Sequence, residues 1–165
     1  MEGLITTGSA EFVTPRRWTA VLQNGVDLAR RAEEVFDYLS DLRNEKEWNP
    51  KMQLVEAVTD GPPRAGSKFR AKWQGSPVTI VEYTTYERPK AWSATAPSKS
   101  LTIDFYATVT ATETGSRLDV AMTVIPHGAL RLLLPLIRRR MQQQELHNMR
   151  LIKGKLEGGM SVPLI

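Results

Sequence analysis

The pattern of apolar and polar residues changes its period several times along the chain. Residues 17–28 are rich in strand formers, and Gly25 within them is a candidate for a β-bulge. Val35, Phe36 and Leu39 then recur at three- and four-residue spacing. This spacing predicts a short amphipathic helix directly after the first strand.

A charged run that ends in a tryptophan follows this helix. Residues 44–48 predict a second helical turn, which should end at Asn49 because the residue before a proline avoids helical backbone angles. Trp48 has two compatible interpretations: a wedge that joins helix to sheet, or part of the wall of a binding site. Its indole has no titratable group, so catalysis by Trp48 itself is not expected.

After residue 51 the pattern alternates with a period of two, which predicts strands with one apolar and one solvated face. One strand places Phe69 and Trp73 on its apolar side, and a turn at residues 113–116 separates two later strands. The apolar faces of those two strands comprise Leu101, Ile103, Phe105, Ala107, Val109, Leu118, Val120, Met122 and Val124. Successive antiparallel strands with one buried face each form a curved meander.

Two middle strands do not show which of their faces is buried. Either Ile80 and Glu82 or Val81 and Tyr83 point inward, and Trp92 on the next strand shares this ambiguity. An inward tyrosine hydroxyl could orient a carbonyl group of a ligand, whereas an outward one would lie on the convex surface.

A long helix is expected to close the chain, from about residue 128 to residue 156, with Pro135 in its first turns. Its apolar face comprises Leu130, Leu134, Ile137, Met141 and Ile152. Between the last two of these, the same face receives Gln144, Glu145 and Asn148. Buried polar groups without partners cost roughly 1–3 kcal/mol each, so these residues either meet polar partners or water in a cavity, or the helix emerges into solvent there. Exposure to solvent, or an altered helix register after Pro135, is the favoured explanation. The competing hypothesis is that Glu145 and Asn148 form the polar end of an otherwise apolar site.

The order of the elements predicts an α+β fold. One strand, two short helices, a run of antiparallel strands and a long C-terminal helix follow one another. A sheet with one apolar face must cover that face, and the last helix is the one element long enough to do so. A curved sheet around a long helix generally leaves a space between them, where a ligand would bind.

The chain resembles the superfamily that contains START proteins, birch-pollen allergens and polyketide cyclases, often called SRPBCC. The resemblance runs from about residue 18 to residue 157, and five segments carry it in this order: AEEVFDYLSDLRNEKEWNP, DGPPRAGSKF, EYTTYERPKAW, TETGSRLDVAMTV and NMRLIKGKLE. It implies the helix-grip fold, in which a curved antiparallel sheet wraps around a long C-terminal helix. We expect one such domain over residues 16–157, between a flexible N-terminal extension (1–15) and a flexible tail (158–165). The superfamily includes lipid carriers, hormone receptors and cyclases, so function depends on the cavity.

The residues expected to contact a ligand combine an apolar lining with a small polar end. They are Trp48, Phe69, Trp73, Tyr83, Trp92, Ile103, Phe105, Val120, Met122, Ile137, Met141, Glu145 and Asn148. Such a lining, with two methionines that adapt their shape, suits a hydrophobic or aromatic small molecule. The alternative is that these side chains fill the interior as ordinary core.

The composition narrows the chemistry. The chain has no cysteine and two histidines, His127 and His147, so disulfides and thiolate chemistry are excluded and neither a metal site nor a cofactor is expected. No Gly-x-Ser-x-Gly turn is present. Binding of a lipid, an isoprenoid or an aromatic polyketide, without catalysis, is the leading interpretation.

A cyclase or dehydratase acting in the same cavity is the alternative, because such chemistry needs only a shaped pocket and one or two acid–base groups. Glu145, Asp104, Glu82 and Tyr83 are the candidates for that role. Asp104 alternates with the apolar residues of its strand and is therefore expected on the outer face.

The net charge of +4 is spread over the chain, and no basic stripe interleaved with aromatics is present, so nucleic-acid binding is not expected. The segment LRLLLPLIRRR (residues 130–140) is compatible with docking to a membrane surface. A helix that covers the sheet and turns a basic face to solvent is the favoured interpretation of the same segment. The N-terminus does not resemble a secretory signal, and a cytoplasmic location is expected. The oligomeric state stays open.

Overall fold

The computed structural model describes residues 19–158. The predicted flexible ends, residues 1–15 and 158–165, lie outside this range apart from Gly158. The described chain forms one seven-stranded antiparallel sheet and one long helix, with two short helices after the first strand. This is the predicted α+β architecture.

The elements follow one another in the predicted order. The N-terminal part contains β1 (Ala20–Leu28), α1 (Ala32–Leu39), a 3-10 turn (Leu42–Asn44) and α2 (Glu45–Trp48). The meander contains β2 (Met52–Ala57), β3 (Lys68–Trp73), β4 (Thr79–Glu87), β5 (Ala91–Pro97), β6 (Leu101–Thr112) and β7 (Gly115–Pro126). A 3-10 helix (Gly128–Leu133) then leads into α3 (Leu134–Glu157).

The strands lie in the order β1-β7-β6-β5-β4-β3-β2, so only β1 is out of sequence. It pairs with β7 without interruption, from Ala20 opposite Val124 to Leu28 opposite Ser116. The expected bulge at Gly25 is therefore wrong. A Cβ atom at this position would lie 2.4 Å from Asp119 Oδ1 and 2.6 Å from an Arg117 guanidinium nitrogen, so a larger residue would require these two side-chain ends to move.

The β6–β7 hairpin closes more tightly than the sequence indicated. Thr112 pairs with Gly115, so the turn has two residues and not the predicted four. Gly115 has a φ of 155°, and a Cβ atom on it would lie 2.1 Å from the carbonyl oxygen of Leu28. No side chain fits at this position, which fixes where β7 begins beside β1.

The facing of the middle strands is settled in favour of Val81 and Tyr83. Both are buried, whereas Ile80 is 41% exposed on the convex surface. The pairing of β4 with β5 slips after Tyr83, and Tyr86 is the next residue that packs inward. Trp92 is buried on the same inner face.

The α-helical part of the last helix begins at Leu134 and not near residue 128 as expected. A continuous α-helix from residue 128 would require the amide of Pro135 to donate to the carbonyl of Arg131, and proline has no N–H. Pro135 instead lies in the first turn of α3, where that hydrogen bond is not needed. The helix ends at Gly158, which adopts the left-handed conformation typical of C-caps (φ 72°).

The interior divides into two parts. The closed half lies under α1 and the end of α3, and its defining residues Val35, Phe36, Ala107 and Leu118 are at most 1% exposed. The open half lies under the beginning of α3. There Ala20, Leu22 and Val124 are buried, but the inward side chains packed on them are only partly so: Leu101, Met122, Leu134, Ile137 and Met141.

Candidate functional site

The polar residues of α3 lie on its inner face, within the protein. Glu145 is 9% and Asn148 is 7% exposed. The Asn148 amide donates to Glu145 Oε1 at 3.0 Å and accepts from Gln144 Nε2 at 2.9 Å. Gln144 in turn accepts a hydrogen bond from the Lys51 ammonium. The alternative that the helix emerges into solvent here is wrong, because the polar face is buried and paired.

A second carboxyl group, that of Glu45, approaches the same place from α2. Its Oε1 accepts from the indole nitrogen of Trp73 at 2.7 Å and from the amide of Asn49 at 2.6 Å. Asn49 is itself 3% exposed. The four-residue helix α2 is too short to be stable alone, and these two hydrogen bonds connect it to β3 and to its own C-terminal end.

The electrostatics of the site show that the two carboxyl groups interact. Burial, together with the nearby charge of Glu45, raises the pKa of Glu145 to about 7, against the hydrogen bond from Asn148, which lowers it. Burial also raises the pKa of Glu45, against the hydrogen bonds from Trp73 and Asn49. A carboxyl that keeps its proton near neutral pH can donate a hydrogen bond as well as accept one. We call Glu45, Lys51, Gln144, Glu145 and Asn148 the polar cluster.

Apolar side chains that point inward yet remain partly exposed adjoin this cluster. They are Trp48, Trp73, Ile103, Phe105, Met122, Ile137 and Met141. Ala107 and Val109 continue the inward face of β6 into the closed half, and there they are buried. The two halves therefore share one face of the sheet and differ in how completely the helices cover it. Inward residues in a filled core lose nearly all exposure. The remaining exposure shows that the first turns of α3 cover the sheet incompletely, and we call the partly exposed apolar surface between them the cleft.

Four of the predicted ligand contacts lie in the closed half instead. Phe69, Tyr83, Trp92 and Val120 are all buried there. The Tyr83 hydroxyl donates to the carbonyl of Ser40 at 2.9 Å, and its ring centroid lies 5.2 Å from that of Phe69. Trp92 meets Phe36 edge to face at 5.3 Å. Burial raises the pKa of Tyr83, and the charges of Asp41 and Glu45 raise it further, so Tyr83 lies within electrostatic reach of the polar cluster although its hydroxyl bonds elsewhere.

Two of the candidate acid–base residues point outward. Asp104 is exposed, as expected, and accepts from the Thr95 hydroxyl at 2.7 Å. Glu82 forms an ion pair with Lys68 at 3.3 Å. Neither contacts the polar cluster, so of the four candidates only Glu145 belongs to it.

Two open depressions occur elsewhere on the surface, with volumes of about 440 and 480 Å³. Both are lined by Tyr106 and Thr108, which alternate with the inward residues of β6. They therefore lie on the convex side of the sheet and are distinct from the cleft. Among residues 19–158, no group of three or more histidine or acidic residues is arranged to hold a metal ion.

The sequence pattern missed Glu45, Asn49 and Asn24. A signal was present for the first two, because Glu45 lies three residues before Trp48 and four before Asn49 and so shares one side of a helical turn with them. Asn24 occupies an inward position of β1 between Leu22 and Val26, where its Oδ1 accepts from Gln142 at 2.7 Å. The sequence did contain a sign of this role, because Asn24 is a polar residue at a position where the alternation of the strand predicts an apolar one.

Comparison with known proteins agrees with this geometry. A family model described as "Polyketide cyclase / dehydrase and lipid transport" matches residues 19–151. No individual curated protein matches the sequence at a significant level.

Several solved structures share the fold at low sequence identity. A START superfamily protein from Mycobacterium smegmatis superposes with a TM-score of 0.72 at 16% identity, over 84% of this chain and 97% of that one. The Zhui aromatase/cyclase from Streptomyces sp. R1128 gives a TM-score of 0.71 at 10% identity, over 84% and 94%. Ara h 8.0201 gives 0.65 at 14% identity, over 86% and 99%. The helix-grip fold and the resemblance to the SRPBCC superfamily are thus confirmed.

Proposed function

The chain belongs to the polyketide cyclase / dehydrase and lipid transport family, and we propose that it binds a hydrophobic small molecule between the concave face of its sheet and α3. The family and the shared fold support hydrophobic ligand binding, with cyclase enzymes as the alternative. The observation that carries the proposal is the row of inward, partly exposed apolar side chains that ends at the polar cluster.

The order of residues on α3 indicates how a ligand would lie. Ile137, Met141, Glu145 and Asn148 follow one another at three- or four-residue spacing on the inner face. The apolar body of the ligand would contact Ile137 and Met141, with Met122 opposite them, and its polar group would reach Glu145. Binding of such a body removes the partly hydrated apolar surface from contact with water, and this burial provides the driving force for binding.

The polar cluster suits an oxygen-bearing group. With a pKa of about 7, Glu145 exists in both protonation states near neutral pH, so it can donate to a carbonyl or accept from a hydroxyl. We therefore favour a lipid, an isoprenoid or an aromatic polyketide that carries a carbonyl or hydroxyl group at one end. Trp48 and Trp73 form the aromatic part of the proposed wall beside that end.

Native mass spectrometry of the purified protein tests this proposal, followed by identification of any small molecule released on denaturation. Titration with a long-chain fatty acid, an isoprenoid alcohol and an aromatic polyketide would then rank ligand classes. Met122→Trp should fill the cleft and weaken binding by more than about tenfold, since a bulky side chain removes the space for the ligand. Thr123→Trp on the outer face of β7 is the matched control. Equal affinities for both variants would contradict binding in the cleft.

Catalysis of the cyclase or dehydratase type is the second candidate, and the paired carboxyl groups favour it. A carboxyl with a raised pKa beside another carboxyl can divide the roles of general acid and general base. If the protein turns over a poly-β-keto substrate, Glu145→Gln should lower kcat by a factor of about 10² to 10⁴ and remove the limb of the pH profile near neutrality. Binding of such a substrate without turnover would favour the carrier.

A further inference from the structure

An apolar surface patch lies on the outer side of the segment that leads into α3. Leu132 is 78%, Leu133 51% and Leu136 64% exposed. We call these three residues the leucine patch. The expectation that this segment simply covers the sheet holds only for Leu134 and Ile137, which pack on the open half. Grouped leucines with this much exposure are costly in water and indicate an interaction surface.

Four arginines surround the leucine patch: Arg131, Arg138, Arg139 and Arg140, all of them exposed. We call them the basic rim. Within residues 19–158 none of the four forms an ion pair, and Arg131 makes one hydrogen bond, to the carbonyl of Pro126 at 3.4 Å. Five arginines elsewhere pair with carboxylates: Arg31 with Glu33, Arg43 with Asp41, Arg70 with Glu56, Arg88 with Asp37 and Arg117 with Asp27.

The local sequence explains this difference in pairing. No aspartate or glutamate occurs between Asp119 and Glu145. The neighbouring β5–β6 turn is held against the segment by a hydrogen bond from the His127 amide to the Ser100 carbonyl, at 2.8 Å, and it contributes the exposed Lys99. The leucine patch is thus bordered by cations that have no counter-charge in the described chain.

We propose that the leucine patch and the basic rim form a docking surface for an anionic lipid bilayer. Leucines that insert at the boundary between headgroups and acyl chains, combined with arginines that contact lipid phosphates, give the two attractions that interfacial binding needs. A second copy of the chain fits this surface poorly, because a two-fold contact would bring the two sets of four arginines together. None of the helices within residues 19–158 is long and apolar enough to cross a membrane.

The proposed docking surface and the cleft share the same segment of the chain. Ile137 and Met141 pack on the open half, while Leu132 and Leu136 are exposed on the adjoining face of the same segment. A docked bilayer would therefore lie beside the partly exposed apolar lining, and a hydrophobic ligand could exchange with the lipid over a short path. Docking itself does not require the cleft to be filled, so it can be tested separately from ligand binding.

Co-sedimentation with vesicles of phosphatidylcholine, with and without phosphatidylserine, tests the proposal. We expect the wild-type chain to bind the vesicles that contain phosphatidylserine and to release them at high salt, because ions screen the attraction. Replacing one arginine of the basic rim by glutamine should weaken binding about fivefold, and the triple change R138Q/R139Q/R140Q about a hundredfold. Leu132→Ser should weaken it roughly tenfold through lost apolar burial.

The same helix offers matched controls. Leu146 is 48% exposed and Arg150 is exposed, both beyond the leucine patch, so Leu146→Ser and Arg150→Gln should leave vesicle binding unchanged. All these positions are on the surface, and the thermal midpoints of the variants should match that of the wild type. Absence of binding to anionic vesicles, or an equal loss in the control variants, would overturn the proposal. A wild-type dimer in sedimentation that Leu132→Ser converts to monomer would also overturn it, in favour of a contact between copies.

Discussion

Two residues of β7 show how the two halves of the interior differ in burial. Leu118 and Met122 lie four positions apart on the same inner face of one strand. Leu118 is 1% exposed in the closed half, beneath α1, whereas Met122 in the open half retains part of its exposure. Both sites have the same strand geometry, so the helix above each of them decides whether the sheet is sealed. The closed half stabilises the fold, and the open half is where we propose that a ligand binds.

The two halves also differ in how they treat polar groups. In the closed half, the Ser40 carbonyl accepts from Tyr83 and the Ser40 hydroxyl bonds with Tyr86 at 2.8 Å, which ties α1 to the sheet. At the border of the open half, Glu145 and Glu45 are held together at the cost of raised pKa values. Polar groups connect elements in both cases, and in the second we propose that they also serve recognition or proton transfer.

The largest expected effect comes from truncating equivalent positions in the two halves. Leu118→Ala should lower the free energy of unfolding by about 2–5 kcal/mol, because a sealed core cannot refill the cavity. Met122→Ala should cost about 1 kcal/mol, since less apolar surface is buried there. Chemical denaturation measures both values. Similar losses would show that the open half is packed as tightly as the closed half and would remove the basis for a cleft.

The pH dependence of stability should reveal the buried carboxyl. Because the pKa of Glu145 rises from its ordinary 4.5 to about 7 on folding, its contribution to stability is fully present below about pH 4.5 and is lost as the pH rises through about 7. The shift corresponds to roughly 3 kcal/mol. Glu145→Gln should therefore flatten the fall in unfolding free energy between these pH values.

Denaturation of the wild type and of Glu145→Gln, at about pH 4.5 and about pH 8, measures this difference. Glu34→Gln, at an exposed position of α1, controls for the loss of one negative charge. Parallel pH curves for the wild type and Glu145→Gln would mean that the carboxyl is hydrated, and the polar cluster would then be an ordinary surface feature.

The smallest effect is expected at Asn24. Asn24→Val loses the hydrogen bond from Gln142 at 2.7 Å, but it also removes a buried amide nitrogen that has no partner among the described residues. These two changes oppose each other, so the unfolding free energy should move by less than about 1 kcal/mol. Gln23→Val on the outer face is the control. A loss above about 2 kcal/mol would show that Asn24 is part of a fully satisfied polar network.

The sequence predicted the elements that depend on local pattern. The inward faces of β6 and β7 were predicted correctly, because a one-residue slip would expose a whole set of apolar residues. The inner face of α3 was also predicted correctly. The sequence did not predict how much of the concave face of the sheet the helices cover. The partial exposure of Met122 depends on where α1 ends and where α3 begins, and Pro135 delays the start of α3.

For a similar reason, only one of the two carboxyl groups of the site could be predicted from the sequence. Glu145 and Asn148 interrupt an apolar helix face, which is visible in one segment. Glu45 lies in a charged run and looks like a solvated residue there, and its burial arises because Trp73, 28 positions later, donates to it. Its helical spacing with Trp48 and Asn49 was the local sign, but a contact between distant segments leaves no periodic signal, so the position of Glu45 beside Glu145 emerged only from the folded chain.

The pairing of β1 with β7 also has a consequence for how the protein is made. Of the strands within residues 19–158, β1 leaves the ribosome first, yet its one partner there is β7, which leaves last. Pairings between such distant segments form slowly, whereas the β6–β7 hairpin can close as soon as both of its strands exist. A nascent chain that lacks β7 therefore has an unpaired first strand and an uncovered concave face. The cleft has both of its walls only after α3 has been synthesised, so the proposed ligand would be taken up after that point.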